Sequence, residues 1–180
     1  MAMSKREKWQ AALTITFIAA ASWGIDALTK HIAIASLSDK PNHGAIGIKN
    51  LLYFVLGTNY GGSNGIVAPE FVELCLALPA VVMFLAALWT GRQLRQGRRI
   101  SGLQQLGLGL LLGGSLGNWS ERVIHHGVTD FIYLQPAGFC IFNLADITID
   151  SGNLCLVVAF ALELRNRKRT ATPEDSRAGS

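Results

Sequence analysis

Charged residues are scarce in this chain of 180 amino acids: Asp, Glu, Lys and Arg make up 16%, whereas 50% of the residues are hydrophobic. A soluble domain of this length has to cover a large surface with polar side chains, so this balance indicates a protein surrounded by lipid. The length suits one compact domain. A soluble helical bundle is disfavoured, because the long apolar stretches lack the polar face that its helices would carry.

Metal and redox motifs are also missing. Cys75, Cys140 and Cys155 each stand alone in or beside an apolar stretch, where a free buried thiol is the ordinary interpretation. The adjacent pair His125 and His126 lacks the helical spacing that zinc-binding histidines use. We therefore expect neither a metal ion nor any other cofactor.

Four apolar segments approach the roughly 20 residues that cross the core of a bilayer. They cover about residues 9–28, 71–89, 103–119 and 141–164. This pattern predicts an all-α integral membrane protein built as a four-transmembrane-helix bundle. We expect a single membrane-embedded domain over residues 1–166 and a disordered cytoplasmic tail over residues 167–180.

Most of the basic residues fall in three clusters that flank these segments, at residues 5–8, 92–99 and 165–177. Cytoplasmic loops carry an excess of Lys and Arg, so the clusters predict that both termini and the loop between the second and third spans are cytoplasmic. The other two loops then face outward. No aromatic residues are interleaved with the basic ones, which argues against a nucleic-acid partner.

The N-terminal segment admits a second interpretation. Basic residues, an apolar run and the small residues 19–21 are also typical of a cleavable signal peptide. We expect the segment to be retained as a span, because its apolar character continues past Ala21 and because Asp26 and Lys30 follow as candidate functional residues.

Small residues and a β-rich stretch add detail to the predicted bundle. Gly109, Gly113 and Gly117 recur every four residues in the third span, a spacing that lets helices approach closely in lipid. We assign this ridge to packing. Residues 46–56 are rich in Ile, Leu, Tyr, Phe and Val and lead into turn residues at 57–65. They predict one or two short strands, and thus a small extracytoplasmic β layer.

Polar side chains cluster at the outer ends of the predicted spans, although such residues are costly in a membrane and are functional by default. By the predicted topology, three groups meet at the external leaflet. They are Asp26 and Lys30 on the first span, Asn118, Glu121, Arg122 and Asp130 after the third, and Asn143, Asp146 and Asp150 at the start of the fourth.

Two of these carboxylates, Asp130 and Asp146, suggest acid–base chemistry. Like charges held close together share one proton, so the ionised partner can take a proton from water while the neutral one protonates a leaving nitrogen. No serine stands beside a lysine or histidine in a pattern typical of a nucleophile. The residues alone leave a second interpretation open, in which both aspartates form helix-end salt bridges with Lys30 or Arg122.

Five short motifs occur in order between residues 9 and 164, each at the outer end of a predicted span. They are Asp26–Lys30, Gly57–Gly61, Gly113–Asn118 leading to Arg122, Gly127–Ile132 and Phe142–Asp146. Through these motifs the chain resembles the lipoprotein signal peptidases, or signal peptidase II. The resemblance implies an intramembrane aspartic endopeptidase that removes the signal peptide of a prolipoprotein, cutting just before its diacylglyceryl-modified cysteine.

The resemblance also implies roles for individual residues. The catalytic dyad would be Asp130 and Asp146. The supporting and substrate-holding residues would be Asn59, Asn118, Arg122 and Asn143, with Asp26 and Lys30 near the lipid or structural end of the pocket. Further implications are the bacterial inner membrane, an active site near the outer leaflet, prolipoprotein substrates and membrane lipid as partners, a monomeric enzyme, and inhibition by the cyclic peptide globomycin.

Four features depart from the family pattern. Asn64 stands where the family has Phe, Glu121 replaces the Asp before Arg122, the connection between the two dyad residues is short, and Asp150 adds an acid one turn after Asp146. Two alternatives therefore stay open. One is a catalytically divergent relative that binds lipoproteins, and the other is a small proton or ion transporter subunit.

Overall fold

The computed structural model of the protein describes residues 3–60, 72–135 and 141–171. These residues form four long helices, four strands and a short 3₁₀ turn at Pro41–His43. In chain order the helices and strands are α1 (Lys5–Leu37), β1 (Gly44–Ile48), β2 (Leu52–Asn59), α2 (Val72–Arg95), α3 (Gly102–His125), β3 (Val128–Leu134), β4 (Ile141–Phe142) and α4 (Leu144–Ala171).

Polar residues set the ends of the helices. Ser4 accepts a hydrogen bond from the backbone N–H of Glu7 at 3.2 Å, and the Glu7 carboxylate accepts one from the Ser4 N–H at 2.7 Å. Ser101 and Gln104 repeat this capping box at the start of α3. Helix α3 ends at His125, and the capping residue His126 that follows adopts the left-handed conformation with φ 58°.

Helix α3 packs against the other three helices, and glycines allow its close approach to two of them. A Cβ on Gly113 would lie 2.5 Å from the carbonyl oxygen of Ala19 on α1. On the opposite side, a Cβ on Gly107 would lie 2.9 Å from the carbonyl oxygen of Gly152 on α4. The predicted packing role of the ridge at positions 109, 113 and 117 is confirmed, since all three glycines face α1.

Two of the described helices, α1 and the part of α4 at Leu144–Asn166, are long and apolar enough to cross a membrane. Large apolar side chains point away from the protein on both; Phe17 of α1, for example, is 74% exposed. An apolar surface of this extent fits contact with lipid. Helix α3 is instead rich in glycine and buried along much of its length.

The strands form one antiparallel sheet in the order β1-β2-β3-β4. Phe131 of β3 packs with Ala33 and Leu37, so the sheet lies against the C-terminal part of α1. The strands predicted over residues 46–56 are found as β1 and β2. The prediction of turn residues from 57 onward was wrong for 57–59, because these residues extend β2 by pairing with residues 128–130 of β3.

Strands β3 and β4 were not predicted from the sequence. Residues 128–134 were expected in an outward loop, and residues 141–142 were expected to begin the fourth span. The span prediction was wrong at that end, because Ile141 and Phe142 pair with Tyr133 and Ile132 of β3 and the helix begins only at Leu144. The tail was predicted to be disordered from residue 167, but helix α4 continues to Ala171, so that prediction was wrong for residues 167–171. The predictions for Asn64, for the start of the second span at residue 71 and for the rest of the tail lie outside the described residues.

Candidate functional site

Asp130 and Asp146 meet where the sheet joins helix α4. Asp130 lies in β3 and is only 4% exposed, whereas Asp146, in the first turn of α4, is partly exposed. Asn143 contacts both carboxyls. Its side-chain Nδ2 donates to Oδ1 of Asp130 at 2.7 Å, and its backbone N–H donates to Oδ2 of Asp146 at 3.0 Å. One residue thus fixes the position of each carboxyl relative to the other.

The start of α4 explains why Asp146 holds its position. Oδ1 of Asn143 accepts a hydrogen bond from the backbone N–H of Asp146 at 3.1 Å, which complements the bond from the Asn143 N–H to the Asp146 carboxylate. The two residues therefore form a reciprocal capping box with Asn143 as the N-cap. Acidic side chains are well placed at this end of a helix, where the helix dipole is positive.

Asn118 of α3 is the second residue that joins the parts of the site. Its Nδ2 donates to Oδ1 of Asp146 at 2.8 Å. Its Oδ1 accepts from Nδ2 of Asn143 and from Nζ of Lys30, both at 3.0 Å. Since two donors hold the oxygen, the nitrogen of this amide has to face Asp146.

Asn59 of β2 completes the surroundings of Asp130 by donating to its Oδ2 at 3.1 Å. Burial, and next the nearby Asp146 carboxyl, raise the pKa of Asp130 to about 6. The hydrogen bonds from Asn59 and Asn143 act in the opposite direction, because they favour the ionised form. Asp130 therefore holds a proton over a range in which an ordinary aspartate has lost it.

A buried ion-pair network lies beneath the carboxyl pair. Nζ of Lys30 is 2.9 Å from Oδ2 of Asp26 and 2.9 Å from Oε2 of Glu121. Together with Asn118, these residues satisfy the three donors of the ammonium group. The other oxygen of Asp26 accepts the backbone N–H of Ala145 at 2.9 Å, so a carboxylate of α1 also caps α4.

The second interpretation of the sequence was that Asp130 and Asp146 form helix-end salt bridges with Lys30 or Arg122. Within the described parts of the chain, neither carboxyl forms one. Lys30 pairs with Asp26 and Glu121 instead. The salt-bridge interpretation is therefore wrong for both residues.

Glu121 and Thr129 form two contacts beside Asp130 that were not predicted. Glu121 accepts the backbone N–H of Thr129 at 3.1 Å and also its hydroxyl, which ties β3 to α3 beside Asp130. The sequence places Glu121 in the same polar group as Asn118, one helical turn away, but gives it no role of its own. No sequence pattern indicates the contribution of Thr129, because half of it comes from a backbone group.

Arg122 and Asp150 lie at the margin of this network. Nη1 of Arg122 is 3.5 Å from the carbonyl oxygen of Asn118, a long contact, and its buried Nε has no hydrogen-bond partner among the described residues. A buried donor without an acceptor is costly, so this side chain has capacity for one more partner. Asp150 is exposed and joins none of the hydrogen bonds found in the described segments.

Comparison with known families gives a match over most of the chain. The family model described as signal peptidase (SPase) II matches residues 18–162. A lipoprotein signal peptidase of Gloeobacter violaceus is 30% identical over 173 residues, which is 95% of this chain and 90% of that protein. One of Geobacillus thermodenitrificans is 34% identical over 113 residues, or 62% of this chain and 68% of that protein.

Solved structures share the fold. A bacterial membrane enzyme superposes with a TM-score of 0.66 at 23% identity, covering 92% of this chain and 93% of the other. A second structure with the same description gives a TM-score of 0.63 at 23% identity, over 84% and 92% of the two chains.

Proposed function

Because the chain belongs to the signal peptidase II family, we propose that Asp130 and Asp146 are the catalytic dyad with which it removes the signal peptides of prolipoproteins. Membership in this family makes the protein a membrane-located peptidase that processes lipoprotein signal peptides. The observation that carries the assignment of the dyad is the position of Asn143, which donates to both carboxyls from one side chain and one backbone group.

In the proposed mechanism the dyad holds one proton, and that proton is on Asp130. Asp146 is partly exposed and accepts a proton from a water molecule as the water oxygen attacks the carbonyl carbon of the scissile bond. Asp130 donates its proton to the nitrogen, and the carbon–nitrogen bond breaks. The raised pKa of Asp130, with burial as its main cause, suits the role of the acid.

Amide side chains keep the two carboxyls in different roles. Asn59 and Asn143 contact Asp130, while Asn118 contacts Asp146. Lys30 and Asp26 act one step further away: Lys30 fixes the amide of Asn118, and Asp26 holds the start of α4. The Nε of Arg122, for which the described segments supply no acceptor, suits an acceptor on the bound substrate, such as a carbonyl oxygen.

We also propose that all four helices span the bacterial inner membrane, with both termini in the cytoplasm and the dyad near the outer leaflet. The backbone N–H of Met3 donates to the carbonyl oxygen of Gly97 at 3.0 Å, and Arg99 pairs with Glu7 at 3.1 Å. Two basic clusters therefore lie together at the end of the bundle away from the dyad, which supports a cytoplasmic location under the positive-inside rule.

Retention of the first helix is part of this proposal. Helix α1 is continuous through residue 21, and its buried residues Ala11 and Ile15 lie on the N-terminal side of that position. The same helix supplies Asp26 and Lys30 to the network beneath the dyad. Both halves of α1 take part in packing, which supports the proposal of a single membrane-embedded domain over residues 1–166.

The substrates would be diacylglyceryl-modified prolipoproteins cut before the lipidated cysteine, with the enzyme acting as a monomer and blocked by globomycin. Of the two alternatives, a divergent relative that binds lipoproteins without cutting them differs less from the proposed function. It is less favoured because the carboxyls, their amide donors and the Lys30 network are all present and joined. The other alternative, a transporter subunit, is disfavoured because the chain belongs to a peptidase family.

A cleavage assay on the purified protein with a diacylated prolipoprotein tests the proposal. Asp130→Asn and Asp146→Asn keep the shape of the side chain but cannot exchange a proton, so each should lower the cleavage rate by about 10²-fold or more. Asp39→Asn, an exposed acid beyond the end of α1, is the matched control and should cleave normally.

Two results would contradict the assignment. Near-normal cleavage by Asp146→Asn would show that Asp146 is not a catalytic residue. Tight substrate binding by the unmodified protein without any cleavage would instead favour the lipoprotein-binding relative.

A further inference from the structure

A cleft opens in the bundle at the end opposite to the dyad. It has a volume of about 490 Å³ and is lined by residues of α2, α3, α4 and the loop between α2 and α3. Its α4 residues, Leu156, Phe160 and Glu163, follow Asp146 by about 10 to 17 residues, or roughly 15–26 Å at the rise of an α-helix. The cleft is therefore a separate feature from the carboxyl pair.

The walls of the cleft are apolar, and its size is typical of a ligand site, for which volumes run from roughly 300 to 1,000 Å³. Two of its aromatic residues remain accessible, with Trp89 39% and Phe160 61% exposed. The apolar residues of the wall are Ala86, Trp89, Leu108, Leu111, Leu156 and Phe160. This wall offers a surface on which a hydrocarbon chain can lie.

The mouth of the cleft is polar and carries two arginines. Arg98 and Arg99 are both exposed, and the other polar residues of the lining are Gln93, Gln104 and Glu163. The ion pair of Arg99 with Glu7 is exposed to solvent, where such pairs contribute little, so Arg99 remains available to a stronger anion. Arginine is well suited to phosphate groups, which accept its hydrogen bonds in pairs.

We propose that this cleft binds an anionic phospholipid of the cytoplasmic leaflet, with an acyl chain along the apolar wall and the phosphate at Arg98 and Arg99. The inference rests on the membrane placement proposed above and does not depend on the dyad. Charge decides the occupant. The lining holds two arginines and one acid, Glu163, so its net charge is positive. It therefore repels the basic cytoplasmic end of a signal peptide and attracts anionic lipid.

The test uses the full-length protein in a neutral detergent, titrated with phosphatidylglycerol. We expect a saturable rise in the unfolding temperature, and one retained lipid in native mass spectrometry, because a ligand of the folded state stabilises it. Phosphatidylcholine and glycerol phosphate should each give a much smaller rise. An equal effect of glycerol phosphate would mean a phosphate site that needs no lipid chain and would overturn the proposal.

Two double variants separate a site from a diffuse charge effect. Arg98→Gln with Arg99→Gln should weaken phosphatidylglycerol binding by about tenfold or more, because both headgroup contacts are lost. Arg92→Gln with Arg95→Gln removes the same charge from the same basic cluster but outside the lining of the cleft, and should leave the affinity within about twofold. Equal weakening of binding in the two double variants would overturn the proposal.

A third variant tests the apolar wall. Ala86→Phe places a larger side chain in the cleft and should reduce lipid retention while Arg98 and Arg99 remain. If a synthetic signal peptide raises the unfolding temperature and phosphatidylglycerol does not, the cleft belongs to the substrate and the proposal fails. Prolipoprotein cleavage is measured on every variant, so that a failure of the lipid site is distinguished from a failure of the dyad.

Discussion

At the scale of single residues, the surroundings of Asp130 predict how kcat/KM depends on pH. If the active dyad carries its proton on Asp130, kcat/KM should fall as the pH rises past about 6, the value to which burial and the Asp146 carboxyl raise the pKa of Asp130. Asn59→Ala removes a hydrogen bond to the ionised form, so it should shift this limb of the profile to higher pH. Asp39→Asn should leave the limb in place, and an unshifted profile in Asn59→Ala would contradict the assignment.

The same raised pKa affects stability. The ordinary value for an aspartate is 3.8, so the folded protein binds the Asp130 proton more strongly than the unfolded chain does. The resulting stabilisation is complete below about pH 4 and is lost as the pH rises through about 6. Asp130→Asn should therefore flatten the fall in unfolding temperature between these values. If the unfolding temperature of Asp130→Asn falls with pH as steeply as that of the unmodified protein, Asp130 does not titrate in this range.

Asp150 is the acid that the family resemblance does not explain, and its side chain is exposed outside the hydrogen-bonded network. We expect Asp150→Ala to leave both the pH profile of cleavage and the inhibition by globomycin unchanged. Substitutions at such positions usually change stability by no more than about 0.5 kcal/mol. The test is the cleavage rate of Asp150→Ala measured across the pH range. A shift of the acidic limb of this profile would mean that Asp150 affects the protonation of the dyad.

At the scale of the elements, the close packing of α1 against α3 depends on glycine. A Cβ on Gly113 would meet the backbone oxygen of Ala19 at 2.5 Å, an atom that cannot move without a shift of the helix. We expect Gly113→Ala to lower the free energy of unfolding by about 1–3 kcal/mol, as overpacking does. Gly24→Ala on α1 is the control, because a Cβ there meets nothing within 4 Å.

The unfolding temperatures of both glycine variants are measured in detergent. The control should be as stable as the unmodified protein or slightly more so, because alanine favours helix over glycine. Equal unfolding temperatures for Gly113→Ala and Gly24→Ala would mean that the two helices separate without cost at this point.

At the scale of the whole molecule, the charge distribution predicts the orientation in the membrane. Reporter fusions after residue 95 and at the C-terminus should be active in the cytoplasm, and fusions at residues 45 and 127 should be active outside. A C-terminal reporter active only outside would require an odd number of spans. N-terminal sequencing of the purified protein should find residues before Ala21, as expected if α1 is retained.

The sequence by itself was sufficient for the features that depend on composition and on short-range spacing. Scarce charge and apolar segments predicted the helices, and the four-residue glycine repeat predicted a close helix contact, which the structure shows to be between α3 and α1. The resemblance then selected Asp130 and Asp146 from the other acids. The predictions of the helices and of the glycine packing succeeded because hydropathy and helical periodicity act within one segment of the chain, whereas the catalytic role of the two aspartates stays a prediction.

Only the tertiary structure decided how the site is assembled. Asp130 lies in a strand that has no strong pattern of its own and forms because β2 and β4 pair with it. Asn143 reaches Asp130 because the N-terminus of α4 meets the end of the sheet, and Lys30 reaches Glu121 because α1 and α3 approach closely. These contacts join residues far apart in the chain, so no local pattern carries them, and burial between the elements then sets the proton affinity of Asp130.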